Sequence, residues 1–219
     1  MRGLLRGTLR ILFHLLASVR VRGRENMPSR GPCLLAANHL AFLDPPFVYS
    51  ELGGDFTAGW AAEKYERHPL FGPVLRLGGA IFIRRGEVDR GALAAALAAL
   101  RQGKTFWLAP EGTRSPNGSL IRGRTGVAYL AYRGDAPIIP AAVTGTERAR
   151  ADLSRLRRPT FTLTVGRPFR LPRLDHDPRP EELRQGADEV MCQIAALLPP
   201  AYRGVYADHP RTRELVGSP

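Results

Sequence analysis

The feature that most constrains this chain is an alternation of two kinds of apolar pattern. Short apolar runs of strand-favouring residues recur between stretches with helical periodicity. Candidate strands are 33–37 (CLLAA), 56–60 (FTAGW), 79–84 (GAIFIR), 105–109 (TFWLA), 137–143 (PIIPAAV) and 160–165 (TFTLTV). Candidate helices are 45–53, 64–77 (broken by Pro69 and Pro73), 87–102, 124–133 and 181–198. Strands alternating with helices predict an α/β layer fold, a buried sheet with helices on its faces. At 219 residues the chain is long enough for one sizeable core. No internal repeat and no long low-complexity linker divides it. The Pro- and Arg-rich segment 168–180 reads as a surface excursion, and 199–219, with Pro199, Pro200, Pro210 and Pro219, as a loosely ordered tail.

Residues 1–24 are set apart by composition. Arg2, Arg6, Arg10 and His14 recur every fourth position and share one side of a helix. Leu5, Leu9, Leu12 and Leu16 fall on another, joined by Leu4, Ile11, Leu15 and Val19. The apolar run from Ile11 to Val19 is interrupted by His14 and is shorter than the roughly 20 residues a spanning helix needs. Arg20, Arg22 and Arg24 follow it, where a signal peptide would have a small-residue cleavage site. Two readings stay open on this pattern: a helix packed on the protein's own core, and a basic amphipathic segment in a membrane interface. Seven arginines against Glu25 in the first thirty residues favour the membrane.

The whole chain is basic, 32 Lys+Arg against 20 Asp+Glu for a net +12, and only Lys64 and Lys104 are lysines. Such a surface suits nucleic acid, anionic lipid or phosphorylated substrates. A nucleic-acid module finds no support beyond charge, because aromatic RNA-binding patterns, zinc spacing and a dense basic helix are all missing from the sequence. Cys33 and Cys192 lie far apart in apolar runs, as reduced core thiols of a cytosolic compartment do, and offer no metal-ligand spacing.

Four short stretches carry chemistry. In NHLAFLDP, His39 and Asp44 stand five positions apart on the connection between a candidate strand and a candidate helix. Asp44 before Pro45 and Pro46 suits a helix cap. Equally, an aspartate accepting the Nδ1 proton of His39 would leave Nε2 to take a proton from a hydroxyl. GAIFIRR ends a strand in Arg84 and Arg85, guanidinium groups suited to phosphate, with Arg84 read as solvated. PEGTRS follows TFWLA and puts Glu111, Gly112, Thr113 and Arg114 at a strand end. IIPAAV carries Pro140, which predicts an edge strand or a bulge. The serines lack a G-x-S-x-G context and the cysteines an activating one, so a covalent acyl-enzyme is not the natural reading.

In this order the four stretches resemble the PlsC-type glycerolipid acyltransferases, the lysophosphatidate acyltransferase superfamily. NHLAFLDP is similar to that family's NHxxxxD block, GAIFIRR to GxxFIxR, PEGTRS to the third block unchanged, and IIPAAV to the fourth. The resemblance spans residues 38–143 and the amphipathic segment ahead of them. It implies a mixed sheet with helices packed around it, with 1–24 as the membrane-associating segment, 25–198 as the acyltransferase domain and 199–219 as the tail. It implies His39 as general base and Asp44 as its orienting partner. Arg85 and the loop Glu111, Gly112, Thr113 and Arg114 would bind the phosphate and glycerol of the acceptor. Acyl-CoA or acyl-ACP would be the co-substrate, with no cofactor or metal. The acceptor would be lysophosphatidic acid or a related lysolipid, met at the cytoplasmic face of a membrane by a peripheral or monotopic protein. A backbone amide near Gly112, or a bound water, would stabilise the oxyanion. Two departures stand out: Arg84 replaces an acidic residue common before the block II arginine, and Ala141 replaces a β-branched one.

Overall fold

The protein is described by a computed structural model over residues 1–29, 31–54, 57–84 and 89–217. Its centre is β2 (Cys33–Ala37), whose five residues are all buried. Cys33, Leu35 and Ala37 point to one face of the sheet, and Leu34 and Ala36 to the other. That is why the run reads as continuously apolar: both faces are covered. On one side β2 pairs in parallel with β5 (Thr105–Leu108), and β5 with β3 (Thr57–Ala62), which pairs with the edge strand β4 (Ala80–Ile83). On the other side it pairs in parallel with β6 (Ile138–Thr144). Antiparallel β7 (Thr160–Val165) follows, and β1 (Ser18–Arg22) lies parallel to β7 at the far edge. The sheet is mixed, with order β1-β7-β6-β2-β5-β3-β4. β1 lies within the segment expected to be a separate membrane element, so residues 18–22 belong to the sheet.

Two apolar layers cover the sheet. One contains α1 (Arg2–Leu16), α2 (Asp44–Leu52) and the start of α6 (Ala149–Ser154). Its centre is an edge-to-face trio, Phe13, Phe47 and Phe161, with ring centroids 5.5–6.0 Å apart. The other contains α4 (Arg90–Arg101), α5 (Gly126–Gly134) and α7 (Pro180–Leu197). The stretch expected as one helix over 64–77 is a 3-10 turn (Glu63–Tyr65) followed by α3 (Phe71–Leu77). Pro69 does not break a helix there; it separates two.

Pro140 sits in β6, inside the sheet rather than at an edge. Ala141 pairs with Val165, Gly166 N donates to Pro140 O at 2.8 Å, and the next bridge on that side joins Ile138 and Phe169. Three residues of the partner segment therefore oppose two of β6, a bulge at the position where proline lacks a donor. Residues 199–217 are not loosely ordered. They form short turns and α8 (Pro210–Gly217) against α7. The buried Tyr206 hydroxyl donates to Asp188 Oδ1 at 2.7 Å and accepts from Gly123 N at 3.1 Å. The prolines there punctuate short helices.

α1 inverts the usual arrangement of a surface helix. Its basic residues point inward: Arg2 Nε donates to Leu77 O, and Arg6 to the carbonyls of Ser50 and Glu51. Arg10 and His14 face the Glu51 carboxylate at 3.6 and 3.2 Å, and Arg24 lies 3.8 Å from it. Glu51 is only 1% exposed. Arg6 and Arg24 satisfy C-terminal carbonyls of α2, where the helix dipole favours positive charge. Leu4, Ile11 and Leu15, one stripe on the helix, stay exposed. Among the described residues no helix is long and apolar enough to cross a membrane.

Candidate active site

β2 lies where the chain changes direction across the sheet. After β2 it builds β3, β4 and β5 on one side, and then β6 on the other. In open α/β sheets the crevice beyond the strand C-termini at such a point is where ligands bind. His39 occupies that position, two residues past β2. Asn38 prolongs the pairing of β2 with β6, its side chain donating to Val143 O at 2.9 Å and accepting from Val143 N at 2.7 Å. His39 is thereby fixed at the end of a ladder.

His39 Nδ1 lies 3.0 Å from Asp44 Oδ2. Both residues are buried, His39 7% and Asp44 0% exposed. The same oxygen accepts from Leu40 N at 2.6 Å and Ala41 N at 2.7 Å, and Oδ1 accepts from the Thr146 hydroxyl. Asp44 does not cap α2 in the expected way, since it makes no side-chain bond to the first-turn amides. Pro45 and Pro46 have no N–H to offer, so the carboxylate turns back to the loop that carries His39. With Nδ1 donating to Asp44, Nε2 carries the lone pair. Among the described residues Nε2 has no partner, and His39 lines a cavity.

The backbone of His39 is held as firmly as its ring. Its N–H donates to Glu111 Oε1 at 2.9 Å, and its carbonyl accepts from Ser115 N at 2.8 Å. The other carboxylate oxygen of Glu111 accepts from Ile121 N at 3.0 Å. Glu111 is 1% exposed and does not line the cavity; its carboxylate organises the His39 loop. Its carboxyl is pushed up to about 7 by burial, against the pull of the Ile121 and His39 amides and with a smaller push from the nearby Asp44 charge. The first and third sequence blocks thus meet through the backbone of one histidine.

The cavity in front of His39 encloses about 1500 Å³. Its walls are largely apolar, including Leu35, Trp60, Leu75, Leu97, Trp107 and Val127, with Leu5 and Leu9 of α1 closing one side. Cations gather on its lining: Lys64, Arg84, Arg114, Arg122 and Arg124. Of the residues expected at the site, His39, Gly112 and Arg114 line the cavity, with Asp44 behind His39. Glu111 and Thr113 are not on its surface. Arg85 lies outside the described residues.

Gly112 also shapes the loop. Its φ is +69°, a left-handed conformation, and a Cβ there would lie 2.6 Å from Cδ and Nε of Arg124. Its own amide donates to Ala109 O at 3.0 Å, so this N–H is committed to the turn and not offered to an oxyanion. Glycine lets Arg124 lie across the loop. Arg122, Arg124, Lys64 and Thr146 did not emerge from the sequence. The signal for Thr146 was a hydroxyl just after the β6 run, in TGT; the signal for the arginines was IRGR, spaced only by folding.

A sequence model of the Acyltransferase family matches residues 18–144. Over 128 residues the chain is 28% identical to the 1-acyl-sn-glycerol-3-phosphate acyltransferase of Borreliella burgdorferi, covering 58% of this chain and 51% of that protein. Over 130 residues it is 32% identical to human 1-acyl-sn-glycerol-3-phosphate acyltransferase beta, covering 55% of this chain and 44% of that protein. The chain spans about half the length of the curated relatives it matches. Among solved structures, the 1-acyl-sn-glycerophosphate (LPA) acyltransferase PlsC from Thermotoga maritima aligns with a TM-score of 0.68 at 26% identity, over 86% of this chain and 76% of that one.

Proposed function

Because the chain belongs to the Acyltransferase family, we propose that it moves a fatty acyl group from acyl-CoA or acyl-ACP to the free hydroxyl of lysophosphatidic acid, giving phosphatidic acid. The observation that carries this reading is a His39–Asp44 pair at a largely apolar cavity of about 1500 Å³ whose lining also carries cations. Apolar walls suit acyl chains, and guanidinium groups suit an acceptor phosphate. Arg114, Arg122 and Arg124 are the cations nearest in sequence to the loop that holds His39, and phosphate bound there would set the hydroxyl against the thioester.

In the proposed reaction Nε2 takes the hydroxyl proton as the oxygen attacks the thioester carbonyl. The tetrahedral intermediate collapses with cleavage of the C–S bond, and the proton passes from Nε2 to the departing thiolate. Asp44 keeps the ring oriented and stabilises the imidazolium that forms in between. Transfer is direct, without an acyl-enzyme. In support, Cys33 is buried in β2 beside Thr105 with its thiol pushed up by burial, and Cys192 is likewise buried with its thiol raised.

The acceptor is a membrane lipid, and the proposal places the protein at the cytoplasmic face as a peripheral or monotopic enzyme. The exposed stripe Leu4, Ile11 and Leu15 supports it. The inward arginines change how such docking would work: apolar insertion by α1, with its cations spent on the fold.

The test is acyl transfer by purified protein to dispersed lysophosphatidic acid, following thiol release with acyl-CoA and acyl-ACP in parallel. His39→Ala should lower kcat by on the order of 10²–10⁴ and leave a folded protein, because Asp44 keeps three other donors. Near-normal turnover in that variant would reject the mechanism, and no transfer by the native chain to this acceptor would reject the substrate.

A further inference from the structure

The turn after α6 places a leucine where the backbone asks for glycine. Leu156 N donates to Leu153 O at 3.0 Å and Arg157 N to Asp152 O at 2.8 Å, the paired bonds of a Schellman helix ending. Leu156 is its left-handed residue, with φ +55°. A side chain there is strained relative to glycine. The strain is not repaid inside the protein, because Leu156 is 98% exposed. Leu153, one turn earlier, is 42% exposed.

The surroundings define what such a side chain would meet. Arg150, Arg155, Arg157 and Arg158 are all exposed within the same nine residues. Beside the turn a cleft of about 480 Å³ is lined by Arg148, Arg157, Arg158, Thr160, Tyr202 and Asp152, among others. It is wide enough for a phosphate group, and three of its residues are arginines. Apolar tip, cationic collar and anion-sized cleft together match the interface of an anionic phospholipid bilayer.

Position strengthens the match. Arg158 donates from one guanidinium nitrogen to His14 O at 2.5 Å and Ala17 O at 3.1 Å, and Ser18 N donates to Pro159 O at 2.8 Å. The turn is therefore bonded to the C-terminal end of α1, where Leu12, Leu15 and Leu16 are exposed. The same connection begins at Thr146, which bonds Asp44. A lipid contact at Leu156 sits on the end of the sheet that carries the catalytic pair.

We infer that the Leu153–Arg158 turn is a second membrane contact, inserting Leu156 into anionic lipid beside α1 and fixing how the cavity faces the bilayer. This rests on the proposal that α1 docks on membrane. With two contacts the protein cannot roll about the axis of α1.

The experiment is flotation of the full chain with phosphatidylcholine vesicles, with and without phosphatidylglycerol. Leu156→Gly removes the side chain and relieves the backbone, so its unfolding midpoint should stay equal or rise. Its partition onto phosphatidylglycerol-containing vesicles should fall by on the order of tenfold, while transfer to detergent-dispersed acceptor stays unchanged. A Leu4, Ile11, Leu15→Ser variant reports on α1 separately. If the native chain fails to float, the α1 reading falls and this one with it. If the α1 variant loses binding while Leu156→Gly and Leu153→Ser bind like the native chain, only the second contact is overturned. Loss of a dimer in Leu156→Gly with unchanged flotation would also overturn it, assigning the turn to a second copy.

Discussion

Asp44 gathers four donors from two distant parts of the chain, and Glu111 gathers two, yet the carboxylates serve different ends. Asp44 faces the ring of His39; Glu111 faces its backbone. Thr146 completes the first set. Thr146→Val keeps the shape but leaves one lone pair of a buried carboxylate without a donor, which should cost about 1–3 kcal/mol. Turnover should fall as well, and Thr146→Ser should restore it; equal turnover in the valine variant would remove Thr146 from the positioning of Asp44. Glu111 supplies a pH signature. Its carboxyl stands at about 7 when folded against 4.5 in the free side chain, so the folded state binds more proton between those values. Stability contributed by this group therefore falls as pH rises from 4.5 to 7, with the full cost present above 7. The ceiling is about 3 kcal/mol. Urea unfolding at about pH 5 and about pH 8 should show native stability declining relative to Glu111→Gln, which cannot titrate. A gap that does not change with pH would mean Glu111 is not proton-linked to folding.

At the scale of elements, α1 is held by charge rather than by its leucines. Phe13 is its one fully buried apolar anchor, while Arg2, Arg6, Arg10 and His14 engage carbonyls and Glu51. Glu51→Gln removes the carboxylate that Arg10 and Arg24 face at 3.6 and 3.8 Å; both guanidinium groups are half-exposed and screened by solvent, so the loss should be about 1 kcal/mol. Hydrogen exchange should quicken in α1 while amides of β2 and β6 keep their protection. Unchanged protection in α1 would show that the carbonyl contacts alone suffice. The amphipathic pattern of residues 1–16 was legible in the sequence, and so was the split between its basic and apolar sides. Which side faced the protein was not. Periodicity reports that two faces differ, whereas docking depends on what the neighbouring element presents, here the carbonyl end of α2 and a buried glutamate. Pro140 is a parallel case: proline signalled an interrupted ladder, and only the spacing of Val165 and Phe169 showed the interruption as a bulge beside a central strand.

For the molecule as a whole, local chemistry is what the sequence carried by itself. Apolar runs set the six strands from residue 33 onward to within about two residues; β2 and β6 are buried on both faces, while β5 and β7 alternate between buried and more exposed positions. The edge strand β1 was hidden, since SVRVR continues an amphipathic helix pattern and its partner lies at 160–164. The pair His39 and Asp44 was legible because one turn separates them. The third block was legible as a strand-end loop, but its division of labour was not: Glu111 turned inward to His39 and Ile121, and Arg114 outward to the cavity. Thr146, Arg122 and Arg124 join the site only when β5 and β6 are set on either side of β2, since Thr146 meets Asp44 from 102 positions along the chain and Arg124 meets Gly112 across a folded loop. Tertiary structure likewise decided that the arginines of α1 hold it to the fold while Leu4, Leu12, Leu15 and Leu16, and Leu156 beside them, are left to the outside. The reason is the range of the forces: periodicity, capping and turn chemistry act over a few residues and are written in order along the chain, whereas a hydrogen bond or ion pair between elements exists only after the sheet has been assembled.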